Sequence, residues 1–233
     1  MNKLLVVTGG TKGIGRAIAE RFARAGFDVA TCGRNKQNVQ QFSSELTGHG
    51  VQAYAFEADL RQPVSIKNFC AQIHALNRPV TVLVNNAGYF VPGSVFEEPQ
   101  GSLESMIETN LYSAYYTTRG LIDLLKGTAS AHIFTMCSIA SIKAYPNGGS
   151  YAISKFALLG FTKVLREELK PDGVRVTAVL PGATRTASWD GTDLPDSRFM
   201  PPEDVAEAVF SAWALSPRTV VEELLIRPQL GDI

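Results

Sequence analysis

Short apolar runs alternate with longer amphipathic stretches along the whole chain. Runs rich in Val, Leu and Ile predict strands near 4–7, 28–32, 51–56, 80–84, 131–137, 174–179 and 219–226. Stretches with helical spacing predict helices near 13–25, 36–47, 63–75, 101–126, 150–169 and 203–214. The strand runs are apolar at successive positions rather than at alternate ones, the pattern of strands covered on both faces of a parallel sheet. Strand–helix alternation with right-handed crossovers predicts a doubly wound α/β fold of seven parallel strands with helices on both faces. No repeat, low-complexity tract or linker breaks the pattern, so residues 1–233 read as one domain. The long irregular stretch from Pro181 to Pro202 follows a strand's C-terminal end, where such a fold places its ligand crevice.

Composition narrows the function. Lys plus Arg and Asp plus Glu both number 22, so no basic excess favours nucleic acid or an anionic membrane. The apolar runs are far shorter than a bilayer span. Met1-Asn2-Lys3 leads straight into a strand-like run and does not read as a signal peptide. Cys32, Cys70 and Cys137 are odd in number and widely spaced, which predicts buried thiols in a reduced, cytoplasmic protein. His49, His74 and His132 lack metal-ligand spacing, so no metal is expected.

A glycine-rich turn joins the first strand to the first helix: Thr8-Gly9-Gly10-Thr11-Lys12-Gly13-Ile14-Gly15. Glycines permit a tight turn and close backbone approach, and a helix starting near Gly13 offers free N–H groups to a pyrophosphate. Enzymes using NAD usually carry an acid at the end of the second strand for the ribose 2′-OH. Here the segment is Cys32-Gly33-Arg34-Asn35, with no acid. Arg34, with help from Lys12, can pair a 2′-phosphate, which favours NADP(H); alternatively both are solvated surface cations.

Tyr151 and Lys155 lie four residues apart, with Ser138 thirteen residues upstream of Tyr151. On a helix that spacing puts a phenol and an ammonium on one face. A nearby cation is expected to lower a tyrosine from its ordinary pKa of about 10, fitting it to trade protons near neutral pH. The spacing alone is also that of many surface Tyr–Lys pairs.

Together these residues resemble the short-chain dehydrogenase/reductase family over almost the whole chain. Thr8 to Gly15 is similar to its Thr-Gly-x-x-x-Gly-x-Gly turn. Asp59-Leu60 resembles its adenine-contacting pair, although Asp59 can equally cap the helix that follows. Asn85-Asn86-Ala87-Gly88 matches the family's segment after the fourth strand, and Asn110 falls where the family has an active-site asparagine. Pro181-Gly182-Ala183-Thr184-Arg185-Thr186 resembles its Pro-Gly-x-x-x-Thr near the nicotinamide. The resemblance implies a Rossmann-type fold and interconversion of a carbonyl and an alcohol. Tyr151 would move the proton and Ser138 would hold the substrate oxygen. Lys155 would tune Tyr151 and bond the nicotinamide ribose, and Asn110 would hold a water for proton supply. The cofactor residues implied are Thr8, Gly9, Thr11, Lys12, Gly13, Ile14, Gly15, Arg34, Asp59, Leu60, Asn86, Ala87, Gly88, Tyr151, Lys155, Pro181, Gly182, Thr184 and Thr186.

The expected partner is a small carbonyl or alcohol, with Tyr89, Phe90, Tyr145, Pro146 and Trp189 as candidate pocket wall, although any one of them can equally be a loop anchor. Apolar residues on more than one face of the helices near 101–126 and 150–169, including Leu158, Leu159, Phe161 and Val164, predict a homo-oligomer, a dimer or tetramer; alternatively one face is intrachain core and the rest incidental. The finish, Glu222 to Ile233, lacks the glycine-rich segment of many family members and weakens the transfer of tetramer contacts. Two rival readings remain. A non-catalytic NADP(H) sensor would not need Ser138, Tyr151, Lys155 and Asn110 together, and a nucleotide-sugar epimerase would need more chain after Pro181.

Overall fold

The computed structural model describes residues 2–233. Seven strands form one parallel sheet in the order β3-β2-β1-β4-β5-β6-β7. They are β1 (Leu4–Thr8), β2 (Asp28–Gly33), β3 (Ala53–Glu57), β4 (Val82–Asn85), β5 (His132–Met136), β6 (Arg175–Pro181) and β7 (Glu223–Ile226). The central strands β1, β4, β5 and β6 are buried at every position. In β1, Leu5 and Val7 face one core with Phe22, Phe42 and Val209. Leu4 and Val6 face the other, with Phe69, Ile73 and Leu121. Alternate residues thus enter different cores, which is why no polar alternation is visible in the sequence.

The helices are α1 (Gly13–Arg24), α2 (Lys36–Thr47), α3 (Pro63–His74), α4 (Ser102–Ile107), α5 (Ser113–Leu125), α6 (Gly149–Leu169) and α7 (Pro202–Ala214). The single helix expected at 101–126 is split by a π-helical turn at Glu108–Tyr112. This wide turn carries Asn110, whose side chain is buried. The final strand is also shorter than expected, because residues 219–222 run as loop with the Thr219 carbonyl turned toward Arg175. No helix among the described residues is long and apolar enough to cross a membrane.

The strand order reverses between β1 and β4, so the loops beyond their C-terminal ends diverge and leave a crevice. Arg166 anchors α6 beside it: Nε donates to the Val176 carbonyl at 3.0 Å, and Nη1 pairs with Glu222 at 3.1 Å. The helix that carries Tyr151 and Lys155 is thereby tied to β6 and to the start of β7.

Candidate active site

The crevice is a cleft of about 1300 Å³. Every site residue singled out from the sequence lines it except Thr8, Gly15 and Asn110, which stand directly behind its wall.

At the cofactor end the glycine turn is stitched from both sides. Gly10 N–H donates to Thr31 Oγ1 (2.9 Å), which donates to the Val7 carbonyl (2.6 Å). Thr8 Oγ1 accepts from the N–H groups of Asn86 (2.9 Å) and Ala87 (3.0 Å). Asn86 Nδ2 donates back to the carbonyls of Thr8 (2.9 Å) and Gly9 (3.2 Å). Thr8 and Asn86 therefore fix the turn against the loop after β4. Gly9 and Gly13 have φ of +64° and +55°, conformations costly for other residues. A Cβ on Gly15 would collide with Asn86 Nδ2 and come within 2.8 Å of the Gly9 carbonyl. The first turn of α1 carries no acidic residue, and its N-cap, Lys12, makes no side-chain cap. These features fit a pyrophosphate seated on the helix N-terminus.

Arg34 is exposed at the cleft edge and makes no ion pair among the described residues. Asp59 does not cap α3. Its carboxylate accepts from the Arg61 N–H at 3.1 Å and pairs with the Arg61 guanidinium at 2.6 Å. That hydrogen bond from Arg61 holds the Asp59 carboxyl below its ordinary range, with Arg34 a lesser contributor. Two cations, Arg61 and Arg34, therefore flank this acid.

At the other end Ser138, Tyr151 and Lys155 converge. Ser138 N-caps a short 3-10 turn, its Oγ accepting from the Ala140 N–H at 3.1 Å. Lys155 Nζ is buried and donates to the Met136 carbonyl at 2.7 Å. It lies 5.8 Å from the centre of the Tyr151 ring. The expected lowering of the tyrosine is not found. Burial instead pushes Tyr151 up to about 12, partly offset by the Ser138 side chain. Burial also lowers Lys155 to about 8. Desolvation outweighs the attraction of a cation that is turned toward a carbonyl.

Asn110 does not point into the cleft. Its Oδ1 accepts from the Tyr89 N–H (2.9 Å), and its Nδ2 donates to the Tyr89 carbonyl (3.2 Å) and to Ser154 Oγ (2.9 Å). Ser154 Oγ in turn donates to the Tyr151 carbonyl at 2.7 Å. A Cβ on Gly88 would stand 3.0 Å from Asn110 Oδ1 and 3.5 Å from Lys155 Nζ, so glycine lets the loop pass between them.

The substrate side is aromatic. Phe90 packs edge-to-face on Tyr151 with centroids 4.7 Å apart, and Tyr145, Pro146 and Trp189 complete the expected wall. Tyr89 Oη donates to Ser105 Oγ at 2.8 Å, which anchors the loop after β4. The loop after β6 is closed by an Arg185–Asp196 pair at 2.8 Å and by Trp189 against Phe199. Sequence reasoning missed the tail: Asp232 and Ile233 line the cleft, and Asp232 pairs with Arg227 (2.6 Å) and Lys143 (3.3 Å). Nor does the sequence signal Glu98, which accepts from the Ser150 N–H at 2.9 Å, or Ser154, which accepts from Asn110; both partners are distant in sequence. The three thiols are free and buried; burial raises Cys32 to about 12, Cys70 to about 11, and Cys137 as well.

A doubly wound parallel sheet whose switch-point cleft joins a glycine cradle to a Ser–Tyr–Lys cluster marks a nucleotide-dependent oxidoreductase. The family model described as short chain dehydrogenase matches residues 3–194. The chain is 33% identical to a sepiapterin reductase of Chlorobaculum tepidum, an alignment spanning 100% of this chain and 99% of that protein. Among solved structures it resembles an alcohol dehydrogenase of Thermococcus sibiricus complexed with 5-hydroxy-NADP. The TM-score is 0.92 at 29% identity, covering 98% of this chain and 97% of that one. It likewise resembles an actinorhodin polyketide ketoreductase variant with NADPH, with a TM-score of 0.89 at 27% identity over 100% and 98% of the two chains. The protein belongs to the short-chain dehydrogenase/reductase family.

Proposed function

We propose that the protein is an NADPH-dependent reductase of a carbonyl borne on a planar, largely apolar substrate. The observation that carries this reading is the convergence of Ser138, Tyr151 and Lys155 in the same cleft as the glycine cradle. NADP-bound structural neighbours support the choice of cofactor, as do Arg34 and the missing acid after β2. The N-terminus of α1 would hold the pyrophosphate, Arg34 and Lys12 the 2′-phosphate, and Lys155 the ribose hydroxyls beside the nicotinamide. Asp59-Leu60 would flank the adenine, and Pro181 to Thr186 would flank the nicotinamide. The cofactor supplies a hydride to the carbonyl carbon.

The chain's own residues manage the oxygen. Ser138 donates a hydrogen bond to it, and Tyr151 gives it a proton. Burial keeps the Tyr151 phenol protonated at neutral pH, so its proton is available to the carbonyl oxygen. Asn110 braces the site by fixing Tyr89 and Ser154. Phe90, Tyr145 and Trp189 would pack on a flat substrate, and the sepiapterin reductase relative favours a ring-borne carbonyl.

The test is NADPH oxidation with sepiapterin, an aromatic aldehyde, a quinone and an oxoacyl thioester, run beside Tyr151→Phe. The expected result is turnover of at least one substrate, falling about a thousandfold or more in the variant, on the scale of general acid catalysis. Tight NADPH binding with no turnover of any of them would instead support a sensor.

The same reading includes a dimer. Tyr112, Tyr116, Ile153, Phe156 and Val164 are exposed on α5, α6 and the π-turn, with Tyr115 packed on Tyr116 and Phe161. A second copy of the chain would cover this face. Light scattering should give twice the chain mass for the wild type and the monomer mass for Phe156→Glu; a monomeric wild type sinks the assignment.

A further inference from the structure

Helix α6 begins two residues before Tyr151, and its N-cap residue Gly148 has no side chain to offer. The free amides at that end must find acceptors elsewhere. One is supplied from 52 residues away in sequence, by Glu98 in the loop between β4 and α4. Its Oε1 accepts from the Ser150 N–H at 2.9 Å, and its Oε2 accepts from the same N–H at 3.2 Å and from the Ser150 hydroxyl. The surroundings are cleared for this carboxylate. A Cβ on Gly149 would collide with Glu98 Oε1 and with the Gly93 carbonyl. A Cβ on Gly93 would stand 2.5 Å from Glu98 Cγ. Beside it, Gly93 N–H donates to the Asn147 carbonyl at 3.0 Å, and Asn147 has φ of +61°.

The contact joins two walls of the cleft. The loop that holds Glu98 also carries Phe90, which packs edge-to-face on Tyr151. The residue that Glu98 grips, Ser150, is the immediate neighbour of Tyr151. On the far side of Tyr151, Ser154 is held by Asn110. Tyr151 is therefore bracketed, one residue before and three residues after, by side chains reaching in from the chain between β4 and α5.

We propose that Glu98 is a positioning residue for Tyr151: by capping α6 through Ser150 it fixes the height of the phenol against Ser138 and against the Phe90 wall. The proposal rests on the reading of Tyr151 as the proton donor. An intramolecular carboxylate suits the task because a charge-assisted cap is short, directional and favoured by the helix dipole. It also ties the alignment of the tyrosine to the substrate-side loop that holds Glu98.

The experiment compares wild type, Glu98→Ala, Glu98→Gln, Glu98→Asp and Tyr151→Phe. Each is assayed for NADPH affinity by fluorescence, and for kcat and KM with the carbonyl from the panel that wild type turns over fastest. Glu98→Ala should lose about tenfold or more in kcat while its NADPH Kd stays within about twofold of wild type. Glu98→Gln, which keeps an oxygen for the Ser150 amide, should recover most of that loss. Glu98→Asp keeps the charge but falls one methylene short. It carries the test if the alanine variant does not fold, and should be soluble and slow. Wild-type kcat in a folded Glu98→Ala or Glu98→Asp, with Tyr151→Phe inactive, overturns the positioning role alone. Full activity in Tyr151→Phe overturns the reading beneath it as well. A purely structural role would lower the thermal midpoint and leave the kcat of the folded protein unchanged.

Discussion

Helices α1 and α6 both begin beside the cleft, and the chain finishes their N-termini in opposite ways. At α1 the cap position is Lys12, no side chain closes the terminus, and the first turn has no acid. At α6 a carboxylate from a distant loop sits on the Ser150 amide. Both ends carry the same partial positive charge. One is left for an anion that arrives with a ligand, and the other is filled permanently by the protein. An open terminus is a binding device; a plugged one holds its helix, and the side chains on it, in a fixed place.

The contrast can be broken by plugging the open end. Aspartate is a favoured N-cap, so Lys12→Asp should stabilise α1 by about 1 kcal/mol while placing an anion where the pyrophosphate must sit. NADPH and NADH affinities should both fall, by about a hundredfold for NADPH, in a fluorescence titration. Unchanged affinity for both would mean that α1 is not the pyrophosphate site. Arg34→Ala sharpens the same point from outside the helix. It should cost NADPH about tenfold, the scale of one charge-assisted hydrogen bond, and leave NADH untouched. Equal losses for both nucleotides would remove Arg34 from the 2′-phosphate.

The closed helix and the charge it buries are tested by stability rather than by affinity. Lys155 is lowered from its ordinary 10.5 to about 8 by desolvation. Between those values the unfolded chain holds a proton that the folded chain has released, so stability should rise with pH across that window. Above about 10 Tyr151 acts in the other direction, because the folded chain then keeps a proton that the unfolded chain loses. Urea unfolding of wild type and Lys155→Met at pH of about 7.5 and about 9.5 isolates the lysine. Wild type should gain up to about 2 kcal/mol relative to the variant between the two. A difference that does not change with pH would show that Lys155 titrates normally.

The open terminus was legible in the sequence and the plugged one was not. The glycine turn is contiguous, and its conformational demand is written in the residue types from Gly9 to Gly15. Tyr151 and Lys155 are legible for the same reason, being one helical turn apart. Glu98 reaches Ser150 across 52 residues of chain, and a glutamate in a loop gives no local sign of its partner. The π-turn at Glu108–Tyr112 escaped notice because hydrophobic periodicity over 101–126 remains helical on either side of it. The Tyr151 expectation failed for a different reason. Spacing places a cation near a phenol, but it cannot weigh burial, and burial decides here. The parallel sheet was readable because each central strand feeds two cores at once.

The π-turn also changes the arithmetic of the helix it interrupts. A regular helix advances about 100° per residue, so a single additional residue in one turn rotates everything beyond it by that amount. Helix α5 is thus out of phase with α4, and the two segments present faces chosen independently. The inward amide of Asn110 and the outward aromatics at Tyr115 and Tyr116 need not share one stripe. Shortening the segment by one residue would leave a well-formed helix in place. It would also turn α5 relative to α3, separating secondary structure that survives from tertiary contacts that do not.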